Sequence, residues 1–438
     1  MKFRHLALAA ALILGTATAV SAQVRIKENW LGAWGFVPTP PPPGMTPPPT
    51  PLAVTPLAVV AAPVPPAAPN PPLLDNPGNV PLMVPDSDLI NVTVRQLVRV
   101  AVAGDRIRLR FTNEAGADVL VLGAVRVGVA GPDGSVVAGT DQAVTFDGRS
   151  GVAIPAAAPL LSDPVNMKVT ALQKLIITSY VPGRIALGGH SLYQYVSGVA
   201  GDQTAAAQLP GQRIMRLTSL VSQVQVDAAT ANAVIVTVGD SITEGALSTN
   251  NAFRSYPDRL AERLVAARSK WSVVNAGIGG NRLLRHGAGH SALARLDRDV
   301  LGVPGVKAVI LLEGINDIGR GFTPTGPQEP VTLEALIAAN KQIIARCRAQ
   351  GIKVYGGLLT PYQGAGYASP AGEQVRTGLN NWMRTSGAFD GVIDFATATA
   401  DKSNPLTFAA EYNLRDKLHP NDAGYQAMAD AVDINWFK

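Results

Sequence analysis

A serine hydroxyl cleaves an acyl bond only when a neighbouring base takes its proton and fixed donors meet the charge that builds on the carbonyl oxygen. Residues able to supply these parts recur in a fixed order along the second half of this 438-residue chain. Ser241 stands in Gly239-Asp240-Ser241-Ile242 and Gly280 in Asn275-Ala276-Gly277-Ile278-Gly279-Gly280-Asn281. Asn316 follows in Gly314-Ile315-Asn316-Asp317, and Asp416 with His419 in Asp416-Lys417-Leu418-His419-Pro420. Any one of these patterns occurs by chance in loops. In this order they offer a nucleophile, an oxyanion hole and a general base held by a carboxylate, which are the requirements of acyl transfer.

The assignment of the base follows from scarcity. The chain has five histidines. His5 lies near the N-terminus, and His190, beside Ser191, has no acid or oxyanion loop at matching spacing and reads as structural. His286 and His290 fall in a glycine-rich loop where they could line a cleft, again without an acid at matching spacing. His419 has Asp416 three residues before it, close enough to accept from the imidazole and hold its tautomer. Ser241 N–H, the backbone N–H of Gly280 and the side-chain amide of Asn316 are the candidate oxyanion donors, one strong donor of this kind contributing about 3–4 kcal/mol. Asn275 and Asp317 are expected to brace these loops, and Asp240 to anchor the nucleophile loop. No further ligands cluster beside Asp416 and His419, so a metal is not implied, and the sequence gives no sign of a cofactor.

These residues need a scaffold, and the apolar pattern supplies one. Continuous apolar runs at Val234–Val238, Trp271–Val274, Val306–Leu312, Val354–Leu359 and Val392–Phe395 alternate with helical stretches, notably Tyr256–Arg268, with Leu260, Leu264 and Val265 on one face, and Leu333–Gln350. Apolar strands separated by amphipathic helices describe a parallel sheet covered on both faces, which binds ligands at the carboxyl ends of its strands. Every motif except the Asp-His pair directly follows one of these runs.

Upstream, from about Asp86 to Val226, the period is two. Ile107, Leu109 and Phe111 alternate with Arg106, Arg108 and Arg110; Val125, Val127 and Val129 alternate with Arg126 and Gly128. Turn signals such as Gly131-Pro132-Asp133-Gly134 and Asp147-Gly148 punctuate further short runs, including Leu175-Ile176-Ile177. This pattern predicts an antiparallel β-sandwich. Between Val37 and Pro85 lie more than half of the chain's 34 prolines, a spacer composition. Trp30-Leu31-Gly32-Ala33-Trp34 precedes it, so the proline segment can also be an insertion looping out of the β-domain.

The four motifs together resemble the SGNH (GDSL-type) hydrolase family from about Val234 to the C-terminus. Asn275–Leu284, Ser291–Leu301 and Leu312–Gly319, with Thr93-Val94-Arg95-Gln96 and Ser162-Asp163-Pro164 upstream, resemble an exported bacterial branch that carries an N-terminal β-domain. The resemblance implies an SGNH-type (flavodoxin-like) α/β fold preceded by an antiparallel β-sandwich, Ser241, Asp416 and His419 as triad, and Ser241, Gly280 and Asn316 as oxyanion hole. It further implies ester hydrolysis, of acetyl groups on plant carbohydrate above all. The α/β-hydrolase elbow Gly-x-Ser-x-Gly does not occur; Gly289-His290-Ser291 is followed by Ala292-Leu293.

The expected organisation is a signal peptide at 1–22, a Trp-containing start and Pro-rich segment at 23–85, the β-domain at 86–226 and the catalytic domain at 227–438. Lys2 and Arg4 before the apolar run Leu6–Leu14, then Val20-Ser21-Ala22, give the signal-peptide pattern of a periplasmic or secreted protein. A single cysteine, Cys347, excludes an intramolecular disulfide. The net charge of +5 is modest and scattered, which argues against a nucleic-acid partner. The expected partner is an acylated carbohydrate or other small ester. A lysophospholipase or aryl esterase on the same machinery, acyl transfer to an alcohol, and a glycan-binding protein with secondary hydrolysis are the alternatives.

Overall fold

The computed structural model describes residues 28–39, 89–185, 196–210, 213–215, 220–322, 331–413 and 415–438. The expectations for the signal peptide, the proline segment and His190 with Ser191 fall outside these residues. No helix among the described residues is long and apolar enough to cross a membrane.

Period-two patterning is realised as two antiparallel sheets. One carries the strands Trp30–Gly35, Val221–Asp227, Arg106–Thr112 and Pro159–Leu161 in that order. The other runs Arg213–Met215, Val196–Ala200, Leu89–Arg99, Lys174–Ile185, Ala124–Val129 and Gln142–Ala143. Ile107, Leu109 and Phe111 are wholly buried, while the intervening arginines stay half-exposed and pair across the strands: Arg106 with Asp227, Arg108 with Gln225. Alternation thus sorts apolar groups to the core and leaves a row of arginines on the other face. The apolar run around Leu175 extends into a 12-residue strand that contains Pro182 and Gly183. Proline removes a ladder donor, and the register accommodates it by a bulge in which Pro182 and Gly183 together face Asn91, itself at φ 54°. Arg95, in one of the family-like stretches, is buried and donates to Thr178 Oγ1 and to the carbonyls of Ala206 and Ala207, a structural pin for the loop that follows Ala200.

The second half is a five-stranded parallel sheet, ordered Trp271–Gly277, Ala233–Gly239, Val306–Leu312, Lys353–Gly357, Gly391–Ile393. In chain order this is 2-1-3-4-5, the flavodoxin-like arrangement, whose switch point lies between the first and third strands. Ala233–Gly239 is buried along its whole length, as a strand covered on both faces must be. The helix Tyr256–Ala266 starts at the capping hydroxyl of Ser255 and buries Leu260, Ala261 and Leu264; Val265 is only half-buried, so Ala261 completes the inner face in its place. The helix Leu333–Ala349 starts at Thr332 and buries Leu336, Ile343 and Ile344.

Segment 23–85 contributes to the β-domain through Trp30–Gly35, which pairs with Val221–Asp227 about as far along the chain as the domain extends. The same strand lies against Trp271–Gly277 of the parallel sheet. Gly32 N–H donates to Pro304 O (3.0 Å), and Ser272 Oγ donates to Gly32 O (2.7 Å). Arg99 of the β-domain meets Glu262 (2.5 Å) and Asp258 (3.4 Å) on the helix Tyr256–Ala266. One continuous apolar cluster runs from Leu31 and Val94 through Val274 to Phe437.

Candidate active site

The carboxyl end of strand Ala233–Gly239 turns directly into the four-residue helix Ser241–Glu244. Asp240 caps it, its Oδ1 accepting from Ile242 N–H at 2.8 Å, so the expectation that Asp240 anchors the nucleophile loop holds in the geometry. The N–H of Ser241 is the first of the helix and has no intrahelical acceptor by position. The helix rests on the neighbouring strand's last residue: a Cβ on Gly277 would stand 2.3 Å from Glu244 N, so only glycine lets the two backbones approach. Asn275 fixes the far end, its amide donating to Thr243 O (2.9 Å) and its Oδ1 accepting from Gly277 N–H (2.9 Å).

Ser241 Oγ lies 2.7 Å from His419 Nε2, and His419 Nδ1 lies 2.5 Å from Asp416 Oδ2. An ionised carboxylate only accepts, so the proton sits on Nδ1 and leaves Nε2 free to receive the hydroxyl proton. Asp416 Oδ1 accepts from the N–H groups of Leu418 (3.0 Å) and His419 (2.9 Å). Partial burial pushes the Asp416 carboxyl up, but the hydrogen bonds from His419 and Leu418 outweigh it and hold the carboxyl well below the usual range. Asn413 closes the turn: its Oδ1 accepts from Lys417 N–H and its amide donates to His419 O (2.7 Å). Lys417 itself sits at φ 58°, a left-handed conformation held by these bonds.

Two further loops follow the carboxyl ends of the strands that flank Ala233–Gly239. Gly280 takes φ 74°, which admits a residue without Cβ; the nearest side-chain atoms to a Cβ built there belong to Ala288 (3.3 Å) and Arg320 (3.7 Å). No acceptor among the described residues meets the Gly280 N–H. Asn316, in the helix Ile315–Gly321 after strand Val306–Leu312, uses one amide hydrogen on Asn281 O (2.9 Å) and accepts from Tyr367 O–H (3.3 Å). Its second amide hydrogen remains a donor. Asp317 braces the loop as expected, accepting from the N–H groups of Leu283 (2.7 Å) and Leu284 (3.0 Å). Ser241, His419 and Asp416 are thus in direct contact, and the loops of Gly280 and Asn316 are joined to each other through Asn281 O at the carboxyl ends of the adjoining strands. His286 and His290 do not join them: both are exposed, stacked edge-to-face on each other, and His286 Nδ1 accepts from Ser291 N–H within its own loop.

Further buried side chains surround the site, of which the sequence singles out only Asp240. Arg295, buried, donates to Gly239 O (3.0 Å), Ala276 O (2.6 Å) and Asn281 Oδ1 (3.0 Å), so one guanidinium joins two strand ends and the Gly280 loop. Beneath the nucleophile, Asp240 and Glu313 are buried together, and no donor among the described residues meets Asp240 Oδ2 or Glu313 Oε1. Burial lifts the Asp240 carboxyl to about 6; burial, with the charges of Asp240 and Asp317, lifts Glu313 well above the carboxylate range. A single proton shared by the pair satisfies both orphan oxygens. Glu313 could have been flagged as a charge at the end of an apolar strand.

Residues 237–427 match the profile of the GDSL-like Lipase/Acylhydrolase family. A lipolytic protein of the G-D-S-L family from Desulfitobacterium hafniense is similar over 46% of this chain and 97% of its own, at 24% identity and a TM-score of 0.36. An acetylxylan esterase from Geobacillus stearothermophilus is similar over 46% of this chain and 92% of its own, at 20% identity and a TM-score of 0.36. No curated protein matches the chain.

Proposed function

We propose, from the match of residues 237–427 to the GDSL-like lipase/acylhydrolase family, whose domain is a serine hydrolase acting on esters, that this chain is an exported esterase removing short acyl groups, acetyl foremost, from carbohydrate hydroxyls. The observation that carries the serine mechanism is the relay Ser241–His419–Asp416, with links of 2.7 and 2.5 Å.

Ser241 Oγ attacks the ester carbonyl while His419 Nε2 takes its proton, and Asp416 stabilises the imidazolium that results. The oxyanion is met by the N–H groups of Ser241 and Gly280 and the free amide hydrogen of Asn316. His419 returns the proton to the departing alcohol oxygen as the C–O bond breaks. Water, deprotonated by His419, then cleaves the acyl-enzyme and releases the carboxylic acid and the serine.

The short-acyl part of the reading is supported by what surrounds Gly280. A Cβ built on Gly280 would meet only Ala288 (3.3 Å) and Arg320 (3.7 Å), so a methyl and a cation stand beside this candidate oxyanion donor. The carbohydrate part is supported by the family-like stretches of the sequence. The test is hydrolysis of acetyl, butyryl and long-chain aryl esters and of acetylated xylan by the purified chain beside Ser241→Ala. Acetate release from xylan and short esters, absent in the variant, is expected. A preference for long acyl chains would move the assignment to a lipid esterase, and equal inactivity of both proteins would sink the enzyme reading.

A further inference from the structure

Where the β-domain meets the edge of the parallel sheet, a cleft of about 430 Å³ opens, well within the range of small-ligand sites. Arg108, Arg110, Gln223 and Gln225 come to it from the four-stranded antiparallel sheet; Asn275 and Arg298 come from the catalytic domain. It is separate from the acyl site, although Asn275, which holds the nucleophile helix, forms part of its wall.

The arginines of this region are not equivalent. Arg106 is taken up by Asp227 and Glu28, Arg110 by Glu114 and Ser222, and Arg298 by Asp299. Arg108 is held differently. Its guanidinium lies 4.4 Å over the Trp30 ring, and its Nε donates to Gln225 Oε1 at 2.6 Å. Among the described residues no acceptor meets its two terminal nitrogens. Stacking and the single Nε bond fix the plane of the group while leaving the donor fork open, which is the geometry that grips a carboxylate through two parallel hydrogen bonds. Beside it, Gln225 Nε2 donates to Gln223 Oε1 (2.6 Å), so these two buried amides form a chain whose last donor is the Gln223 amide nitrogen. Leu160 and Val303 add apolar surface to the same cleft.

We propose that this cleft is a binding site for an acidic carbohydrate, a uronate residue whose carboxylate seats on the Arg108 fork. The Gln223 amide meets a ring hydroxyl, and Leu160 and Val303 take the C–H face of the ring. The anion supplies the pairing that Arg108 lacks, while the amide and the apolar walls supply what a bare anion would not use. The site stands apart from ester hydrolysis and needs no acyl group.

The test uses the full chain, with trigalacturonate, neutral xylotriose and acetate as probes, at low ionic strength where charged contacts are least screened. Binding is read by titration calorimetry and by Trp30 emission, since the ring lies against the guanidinium. Trigalacturonate is expected to bind and to perturb the emission, xylotriose and acetate to bind at least tenfold more weakly. Arg108→Gln is expected to weaken trigalacturonate by about tenfold or more, the scale of a lost charged hydrogen-bond pair. Arg108→Lys, which keeps the charge and loses the fork, is expected to fall between. Both variants should retain the wild-type melting temperature and turnover of a short aryl ester, so failure of the cleft and failure of the esterase reading are told apart. Equal affinity for acetate would reduce the site to an adventitious anion hole, equal affinity for xylotriose would remove the carboxylate from the proposal, and undiminished binding by both variants would overturn it.

Discussion

The carboxylate of Asp422 accepts from both the N–H and the hydroxyl of Thr249, at 2.8 and 2.7 Å. Thr249 lies just beyond the nucleophile helix, and Asp422 opens the helix that follows the His419 turn. A second tie runs beside it, from Tyr425 O–H to Ala246 O at 2.7 Å. Two short segments with no sequence continuity are thus clamped so that serine and imidazole stay in hydrogen-bond reach. A misplacement of about 1 Å in such a pair costs about 100-fold in rate. Asp422→Ala is therefore expected to lower kcat by about 10–100-fold with little change in KM. Asp422→Asn, which keeps one acceptor, should recover part of the loss. Steady-state kinetics on a short aryl ester decide it; a change confined to KM would show that the clamp serves binding.

The relay itself makes a sharper demand. Ser241→Ala should lower kcat by about 10⁴–10⁶-fold and leave the melting temperature near wild type, since the side chain touches little besides His419. Asp416→Asn should cost about 10⁴-fold, because an amide no longer enforces the Nδ1–H tautomer. Single-turnover measurement of acyl-enzyme formation separates these from effects on deacylation. If Asp416→Asn kept full rates, the imidazole would be oriented by Asn413 and the turn alone.

How much of this was legible before the fold was known depended on distance along the chain. Gly239-Asp240-Ser241 and Asp416-x-x-His419 are local patterns, the first directly after a recognisable apolar run, and the parallel sheet followed from such runs. The strand Trp30–Gly35 was harder, because its partner Val221–Asp227 lies beyond the proline segment and a whole domain. Arg295, Asp422 and Tyr425 act across 14 to 179 residues through single contacts, which no periodicity encodes. The open fork of Arg108 is likewise a matter of what its neighbours lack, and in sequence it is one arginine of an alternating row.

At the oxyanion position, Asn316 already spends one amide hydrogen on Asn281 O and has Tyr367 on its Oδ1. These two bonds orient the remaining hydrogen before substrate arrives, so the donor costs no reorganisation in the reaction. Asn316→Ala is expected to lower kcat by about 10²–10³-fold. Tyr367→Phe, which frees the amide to rotate, should cost less, about tenfold, as a loss of one orienting hydrogen bond. Both effects should lie in kcat. Equal rates for wild type and Tyr367→Phe would show that Asn281 alone sets the amide.

The buried pair Asp240 and Glu313 predicts a pH dependence of stability. Both carboxyls are held above their unfolded values, so between the unfolded and folded pKa the native state binds more protons than the unfolded chain. Their contribution is complete below about pH 4. It is lost as pH rises through about 6 for Asp240 and further for Glu313. Asp416 has the opposite sign, but its lowered carboxyl is ionised throughout pH 5–8 in either state and leaves that window clear. Arg295 and His419 also face the pair, and Asp317 adds a like charge; all three remain in the variant. Glu313→Gln keeps a donor for Asp240 Oδ2 and removes one titration. Its melting temperature should fall less than that of wild type between pH 5 and pH 8, by about 2 °C or more. Thermal melts followed by circular dichroism across that range measure it. Parallel curves for the two proteins would mean that Glu313 holds no proton in the native state and that the two buried oxygens are satisfied in some other way.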